Sequence, residues 1–272
     1  MTNESYAGVS FFIVPHADDW QLFMQPNACT GLVAPGQRVV FIITTAGDAG
    51  KGEHYWKARE EGCKSSIRFC LAPHATLTEV DGVQQFNNHP VYYWLVNNAI
   101  CYFLRLPDGN LDGSGFPGYN HQSLSKFRKG EVDALSTVDN ATTYNSWKDL
   151  CATLQGIITV ESNGIPNTRL HYLNPCTSAN PHDHADHIAT GQVVQAIDAL
   201  AAMPQALYMG YHSRQEGKPI SEPDYFWKAG MFAAYEKAVY DGSGYSTLQE
   251  DVQLYLCWCA KGASFVTVNW KY

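Results

Sequence analysis

Two short segments carry the side chains that could do chemistry. The first is Pro15-His16-Ala17-Asp18-Asp19-Trp20. A histidine beside two carboxylates offers one nitrogen and one oxygen to a metal ion and leaves a second carboxylate over. Neighbouring residues in a turning segment point in different directions, so one of Asp18 and Asp19 can bind while the other acts as a base. The second segment, His182-Asp183-His184-Ala185-Asp186-His187, packs three histidines and two aspartates into six residues. His184 and His187 are three apart, so on a first helical turn they would address a common point. With His16 and Asp19, His187 would complete a set of two imidazoles and one carboxylate, which leaves a coordination position for water as catalytic zinc requires. Each segment has a plainer reading: a hydrogen-bonded structural histidine, an Asp-Asp turn or helix cap, a solvated loop that happens to attract metal. Their joint occurrence is the argument for a site.

The elements that must position them follow from hydrophobic pattern. Residues 9–15 form an apolar run suited to a strand buried on both faces, and residues 38–45 are rich in β-branched residues, as a neighbouring parallel strand would be. About twenty weakly helical residues between them suffice for a crossover. Residues 55–71 read as a helix whose charged residues could be its solvated face. Residues 146–160 and 187–202 read as helices, the second with a core-facing stripe. Residues 169–173 and 207–211 read as short strands and residues 224–240 as a helix rich in aromatics. The segment 74–144 is weakly patterned, with strand-like VYYWLV and AICYFLRL before a glycine-rich stretch, residues 109–118, where pocket-shaping loops are expected. Its aromatic residues, Tyr92, Trp94, Tyr102, Phe116 and Tyr119 among them, could be core or a wall for sugar rings. The tail is ambiguous: Ser246 and Gln249 suit a helix cap, yet VQLYLCW alternates like a strand. Strands alternating with helices predict a single α/β domain over residues 1–272, with a doubly wound, mostly parallel Rossmann-like sheet, helices on both faces and an irregular middle insertion. Ligands of such sheets collect beyond the carboxyl ends of the strands, where both chemical segments fall.

The order HADDW, GQRVVFIITTAGD, a helix with AREEG, and finally HADH resembles the PIG-L or LmbE-like family of metal-dependent N-deacetylases, whose usual signatures are HPDDE and a later HPDH or HxxH. The similarity runs in order from the first strand to the helix after His187, with Lys228 and Tyr235 resembling a late K…AY pattern; residues 74–144 match poorly. The resemblance implies that His16, Asp19 and His187 hold one divalent ion, zinc first and iron(II) also compatible. It implies Asp18 as general base, His184 as acid or electrostatic partner, and Arg59 and Asp108 as substrate-binding residues. It implies hydrolysis of the acetamide of an N-acetylated amino sugar or glycoconjugate of the N-acetylglucosaminyl type. An amidase for a larger thioglycoside conjugate and a non-catalytic carbohydrate-binding relative are the alternatives. Ala17 replaces the family's usual proline, and Trp20 its usual glutamate, a change expected in the surroundings of the ion or in the pocket wall.

Composition bounds these expectations. A hydrophobic fraction of 45% against 16% charged residues supplies material for a sizeable core. A net charge of −8 argues against binding through a nucleic-acid backbone, which needs a basic face. Residues 11–14 are too short for a membrane span or signal core, leaving a soluble cytoplasmic protein as the expectation. The eight cysteines are scattered without a CxxC pair and read mostly as buried thiols. Oligomeric state has no signature in the sequence.

Overall fold

The structure is a computed structural model and describes residues 6–216, 219–250 and 252–269. The amino-terminal half runs β1 (Gly8–Val14), α1 (Asp19–Phe23), α2 (Asn27–Val33), β2 (Gln37–Thr45), α3 (Glu53–Leu71), β3 (Glu79–Phe86), β4 (His89–Val96) and β5 (Ala99–Leu106). Then come α4 (Leu124–Lys129), the two-residue strands β6 (Leu135–Ser136) and β7 (Thr143–Tyr144), and α5 (Trp147–Ser162). The rest is β8 (Thr168–Leu173), α6 (Ala185–Gln195), β9 (Gln205–Tyr208), α7 (Ser213–Glu216), α8 (Glu222–Ser243), α9 (Thr247–Glu250), α10 (Val252–Cys259) and β10 (Phe265–Val268).

Eight strands form one sheet in the order β10-β9-β8-β1-β2-β5-β4-β3. Its central pairs, β9 with β8, β8 with β1, β1 with β2 and β2 with β5, are parallel. β4, β3 and β10 add antiparallel edges. The period of two in a strand divides the core. Phe12, Val14, Phe41 and Ile43 pack into one cluster with residues of α1, α2, α3, α8 and α10, while Phe11, Ile13, Val40 and Ile42 join α4, α5 and α6 on the opposite face. All seven residues of β1 are buried, which is why its sequence is apolar but for Ser10 and does not alternate.

The fold class matches the sequence reading, with four local differences. VYYWLV and AICYFLRL fall in strands β4 and β5, as read, but the expected irregularity before them is absent: with β3 they form a three-stranded antiparallel meander over residues 79–106. β3 gave no apolar signal because it is an edge strand, mostly exposed. The helix expected from 187 to 202 begins at Ala185 and stops at Gln195. The strand expected at 207–211 lies at Gln205–Tyr208, and the ambiguous tail forms α10. Ser246 does accept from the Gln249 N–H, at 3.3 Å, as a cap would. Cys63, Cys70, Cys101, Cys151 and Cys259 are buried, and all eight thiols are free. Among the described residues no helix is long and apolar enough to cross a membrane.

One core residue sets an expected acid limb of stability. His171 on β8 is buried, its ring stacked on Phe12 at 4.4 Å, with Nδ1 2.8 Å from the Tyr208 hydroxyl. Burial pushes its pKa down to about 3, against roughly 6.5 in the unfolded chain. Between those values the unfolded chain binds a proton that the native protein does not. Stability is therefore full above about pH 6.5 and is lost as the pH falls toward 3, by up to ~1.4 kcal/mol per pH unit. His171→Phe leaves the Tyr208 hydroxyl bonded to Asn27 Nδ2 at 2.7 Å. Urea unfolding of the variant at pH 7 and pH 4.5 should show a shallower pH dependence than the natural protein; equal slopes would remove His171 as a cause of acid lability.

Candidate metal centre

Every side chain of the centre follows the carboxyl end of a strand: His16, Asp18 and Asp19 after β1, Asp108 after β5, His184 and His187 after β8, Tyr211 after β9. This is the crevice in which a doubly wound sheet collects ligands. His16 and His187 are brought together from opposite sides of it, their ring centroids 5.3 Å apart. The Asp19 carboxylate lies between them, with Oδ2 3.3 Å from His16 Nδ1 and Oδ1 3.1 Å from His187 Nε2. All three residues are at most 5% exposed.

The backing of each imidazole determines which nitrogen faces inward. His187 Nδ1 lies 2.8 Å from Asp183 Oδ1, so an Nδ1–H donated there leaves the Nε2 lone pair toward Asp19. His16 Nε2 lies 3.3 Å from Asp186 Oδ2, which leaves its Nδ1 toward the same point. His187 Nε2 is buried and makes no hydrogen bond despite its closeness to Asp19. Two nitrogens and a carboxylate within 4.8 Å of one another, with such a nitrogen among them, are a donor set suited to a divalent ion. A second group, His16, Asp108, His184 and Asp186, is equally compact; Asp186 Oδ1 is buried there without a hydrogen-bond partner, while its other acceptors are mostly engaged. Asp108 accepts the Ala49 and Asn110 N–H groups, Asp186 Oδ2 accepts that of Gly109, and His184 Nδ1 accepts that of Asp186.

The field at the centre calls for positive charge. Burial works against an ionised imidazole at both histidines, yet Asp183 and Asp19 raise His187 to about 9, and Asp19 with Asp186 raises His16 well above its ordinary value. Burial also opposes the Asp19 charge, but His187 and His16 hold its carboxyl far below the usual range. A divalent cation would replace these protons, so its binding should release them. His184 differs: burial and the neighbouring His16 lower it to about 4. This favours the neutral imidazole, and with Nδ1 accepting the Asp186 N–H as the cap of α6, Nε2 is the nitrogen left to carry its proton.

Asp18 is buried and makes no cap bond to α1; instead it accepts from Arg59 Nη2. Arg59 lies on the buried stripe of α3 and not on a solvated face; it also donates to the Gly47 carbonyl and, at 2.7 Å, to the Tyr235 hydroxyl on α8. Gly47 has φ +59°, and a Cβ there would lie 2.8 Å from Arg59 and 3.1 Å from His16. Gly109 is equally constrained, since its Cβ would meet Asp186 at 2.2 Å.

A cavity of about 140 Å³ opens over the centre, reached by His16, Asp18, Asp19, Arg59, Asp108 and His184. Its far wall is aromatic: Tyr55, Tyr211, Tyr255 and Trp258. The Tyr211 ring lies 5.1 Å from that of His187, nearly perpendicular to it, and packs on Trp258 at 4.8 Å. Lys228, buried in α8, donates to the carbonyls of Leu22, Trp258 and Lys261, tying this wall to α1. None of the aromatic residues singled out between 92 and 119 lines the cavity. Trp20 does not either: it is fully buried in the core against Phe41, with Nε1 3.3 Å from Cys63 Sγ. The departure from the resembled motif thus acts through the core.

Sequence reasoning gave no role to Asp183 and Asp186, although both lie in the segment it singled out. Their signal was position: a carboxylate next to, or four residues before, a histidine on the first turn of a helix. Asp183→Asn should lower metal affinity by roughly 10–100-fold, as the loss of a carboxylate behind a ligating histidine does, read by competition with a chromophoric chelator. Unchanged affinity would remove Asp183 from that role.

No family model and no curated protein matches the sequence. Among solved structures, the chain is similar to the N,N'-diacetylchitobiose deacetylase from Pyrococcus horikoshii, complexed with its inhibitor MPG. The TM-score is 0.52 at 14% identity, over 98% of this chain and 86% of that one. The likeness is one of fold, and it spans nearly the whole chain.

Proposed function

We propose that the protein is a metal-dependent hydrolase that removes the acetyl group from an N-acetylated amino sugar or glycoconjugate. The observation that carries this reading is the convergence of His16, Asp19 and His187, with His187 Nε2 buried and without a hydrogen bond, beside a carboxylate that is not part of the ligand set. The deacetylase of similar fold supports it at a coarser level.

His16, Asp19 and His187 would hold one divalent ion, with zinc and iron(II) both suited to two nitrogens and an oxygen. When bound, such an ion polarises an amide carbonyl and lowers the pKa of water. Asp18, oriented by Arg59, takes the proton of the attacking water and later delivers one to the departing amine. His184, neutral with its proton on Nε2, donates to the oxygen that becomes negative when the carbonyl is attacked. Asp108, Arg59, Tyr55, Tyr255 and Trp258 line the cavity that would receive the sugar.

The test is acetate release from N-acetylglucosamine, N,N'-diacetylchitobiose and longer-acyl analogues, using protein of measured metal content prepared anaerobically. Equimolar acetate and free amine, abolished by a chelator and restored by zinc or iron(II), is the expected result. A fully metallated protein that releases no acetate from any of them would overturn the reading.

A further inference from the structure

The cysteines are scattered along the chain, but the fold brings two of them together. Cys29 in α2 and Cys70 in the last turn of α3 meet with their sulfurs 3.4 Å apart, at hydrogen-bond distance. A disulfide requires about 2.05 Å, so the two sulfurs would have to close by about 1.3 Å. Their surroundings can give by that amount. Cys70 Sγ lies 3.4 Å from Met231 Sδ on α8, which Gln25 Nε2 approaches at 3.8 Å. An unbranched thioether repacks readily when a neighbour shifts.

The two thiols are not equivalent. Cys29 is partly exposed, whereas Cys70 is fully buried. The hydrogen bond from Cys70 holds the Cys29 thiol below its ordinary pKa, against the effect of burial and of Asp224. The same bond, with burial, pushes Cys70 well above its own. An accessible, more acidic thiol thus stands in front of a sheltered one that keeps its proton, the relation of a reacting cysteine to a resolving one. The other cysteines each lack one half of this arrangement. Cys63 and Cys101 are fully buried, with Cys63 Sγ accepting from Trp20 Nε1, so an oxidant in solution does not reach them. The sulfurs of Cys176 and Cys257 are accessible but lie against the Ser178 hydroxyl and the Arg214 carbonyl.

We infer that Cys29 and Cys70 form a reversible redox pair, in which Cys29 reacts with hydrogen peroxide and Cys70 resolves the product as a disulfide. The Cys29 thiolate attacks one peroxide oxygen and the O–O bond breaks. Sulfur is oxidised to a sulfenic acid, and the other oxygen leaves, protonated, as water. Cys70 Sγ then attacks the Cys29 sulfur; the S–O bond breaks, and hydroxide departs with the Cys70 proton as a second water. One peroxide is reduced for each bridge formed. The bridge closes a loop of about forty residues that contains β2 and most of α3, and a constraint of that length acts against the unfolded chain. The inference is independent of the hydrolase reading.

The natural protein is treated with hydrogen peroxide under native conditions, its remaining thiols are alkylated after unfolding, and its peptides are mapped without reduction by mass spectrometry. Cys29 and Cys70 should be lost together as one bridged peptide, recovered by dithiothreitol, at least about tenfold faster than Cys63 or Cys101 is modified. In Cys70→Ser, Cys29 should accumulate as a sulfenic acid captured by dimedone; in Cys29→Ser, Cys70 should stay reduced. The bridged natural protein should also unfold at a higher urea concentration than the reduced one. Three results on the natural protein, which need no variant to fold, would each overturn the pair: Cys29 still reduced when Cys176 is oxidised, Cys29 carried to a sulfinic acid or another partner while Cys70 stays free, or a bridged form whose urea midpoint is not raised.

Discussion

Asp18→Asn protein is expected to retain its full complement of metal and to lose roughly 10²–10⁴-fold in kcat, the range associated with a general base. The substitution is chosen for what it preserves. Asp18 is buried and bound to Arg59, so truncation to alanine would strand a buried guanidinium and confuse catalysis with folding. Asparagine keeps an oxygen for Arg59 and nearly the same shape but cannot take a proton. Because Asp18 is outside the donor set, ion content by mass spectrometry should match that of the natural protein. Full turnover in a metallated Asp18→Asn protein would remove the residue from proton transfer and shift attention to His184.

A different signature is expected at the ligands. Zinc at about 100 times its dissociation constant should stabilise the natural protein by ~2.7 kcal/mol, which at this size corresponds to a rise in Tm on the order of 5–10 °C. His187→Ala and Asp19→Ala should show no such rise, should emerge from dialysis without metal, and should be inactive. Both variants will be less stable even without metal. His187 loses its place between Asp183 and Asp19, and Asp19 leaves the buried His16 backbone N–H, which it accepts at 2.7 Å, without its acceptor. The metal-dependent increment is therefore the reading to compare, not the absolute Tm. A stoichiometric ion and an unreduced zinc shift in His187→Ala would mean that the ion sits elsewhere, and the group around Asp108 and Asp186 would become the site to test.

How much of this was legible before the coordinates depended on whether a residue's role shows in its neighbours along the chain. β1 and β2 are buried on both faces and so advertise themselves as apolar runs; β3, at an edge and mostly exposed, has no such pattern. The two halves of the centre could be foreseen to meet because both follow strands of one parallel sheet. That His184 would end as a cap on α6, with Nδ1 committed to the Asp186 N–H, depended on where the helix began, and hydrophobic period locates helix ends poorly. Arg59 was visible as a residue of a helix, but its burial against Asp18 and Tyr235 is a product of α3 packing on α8, more than 150 residues away in sequence. The aromatic wall from Tyr211, Tyr255 and Trp258 is long-range in the same sense, and the middle segment's aromatics drew attention away from it.

That wall has a consequence for how the protein can diversify. The proposed ion ligands and base lie between residues 16 and 187, whereas Tyr255 and Trp258 belong to a separate helical segment, packed on the core and tied to α8 by the Lys228 ammonium. On the proposed reading, recombination or drift in that segment would reshape what the cleft admits and leave the ion-binding residues untouched, so acceptor range and bond-breaking power would be free to evolve on separate clocks.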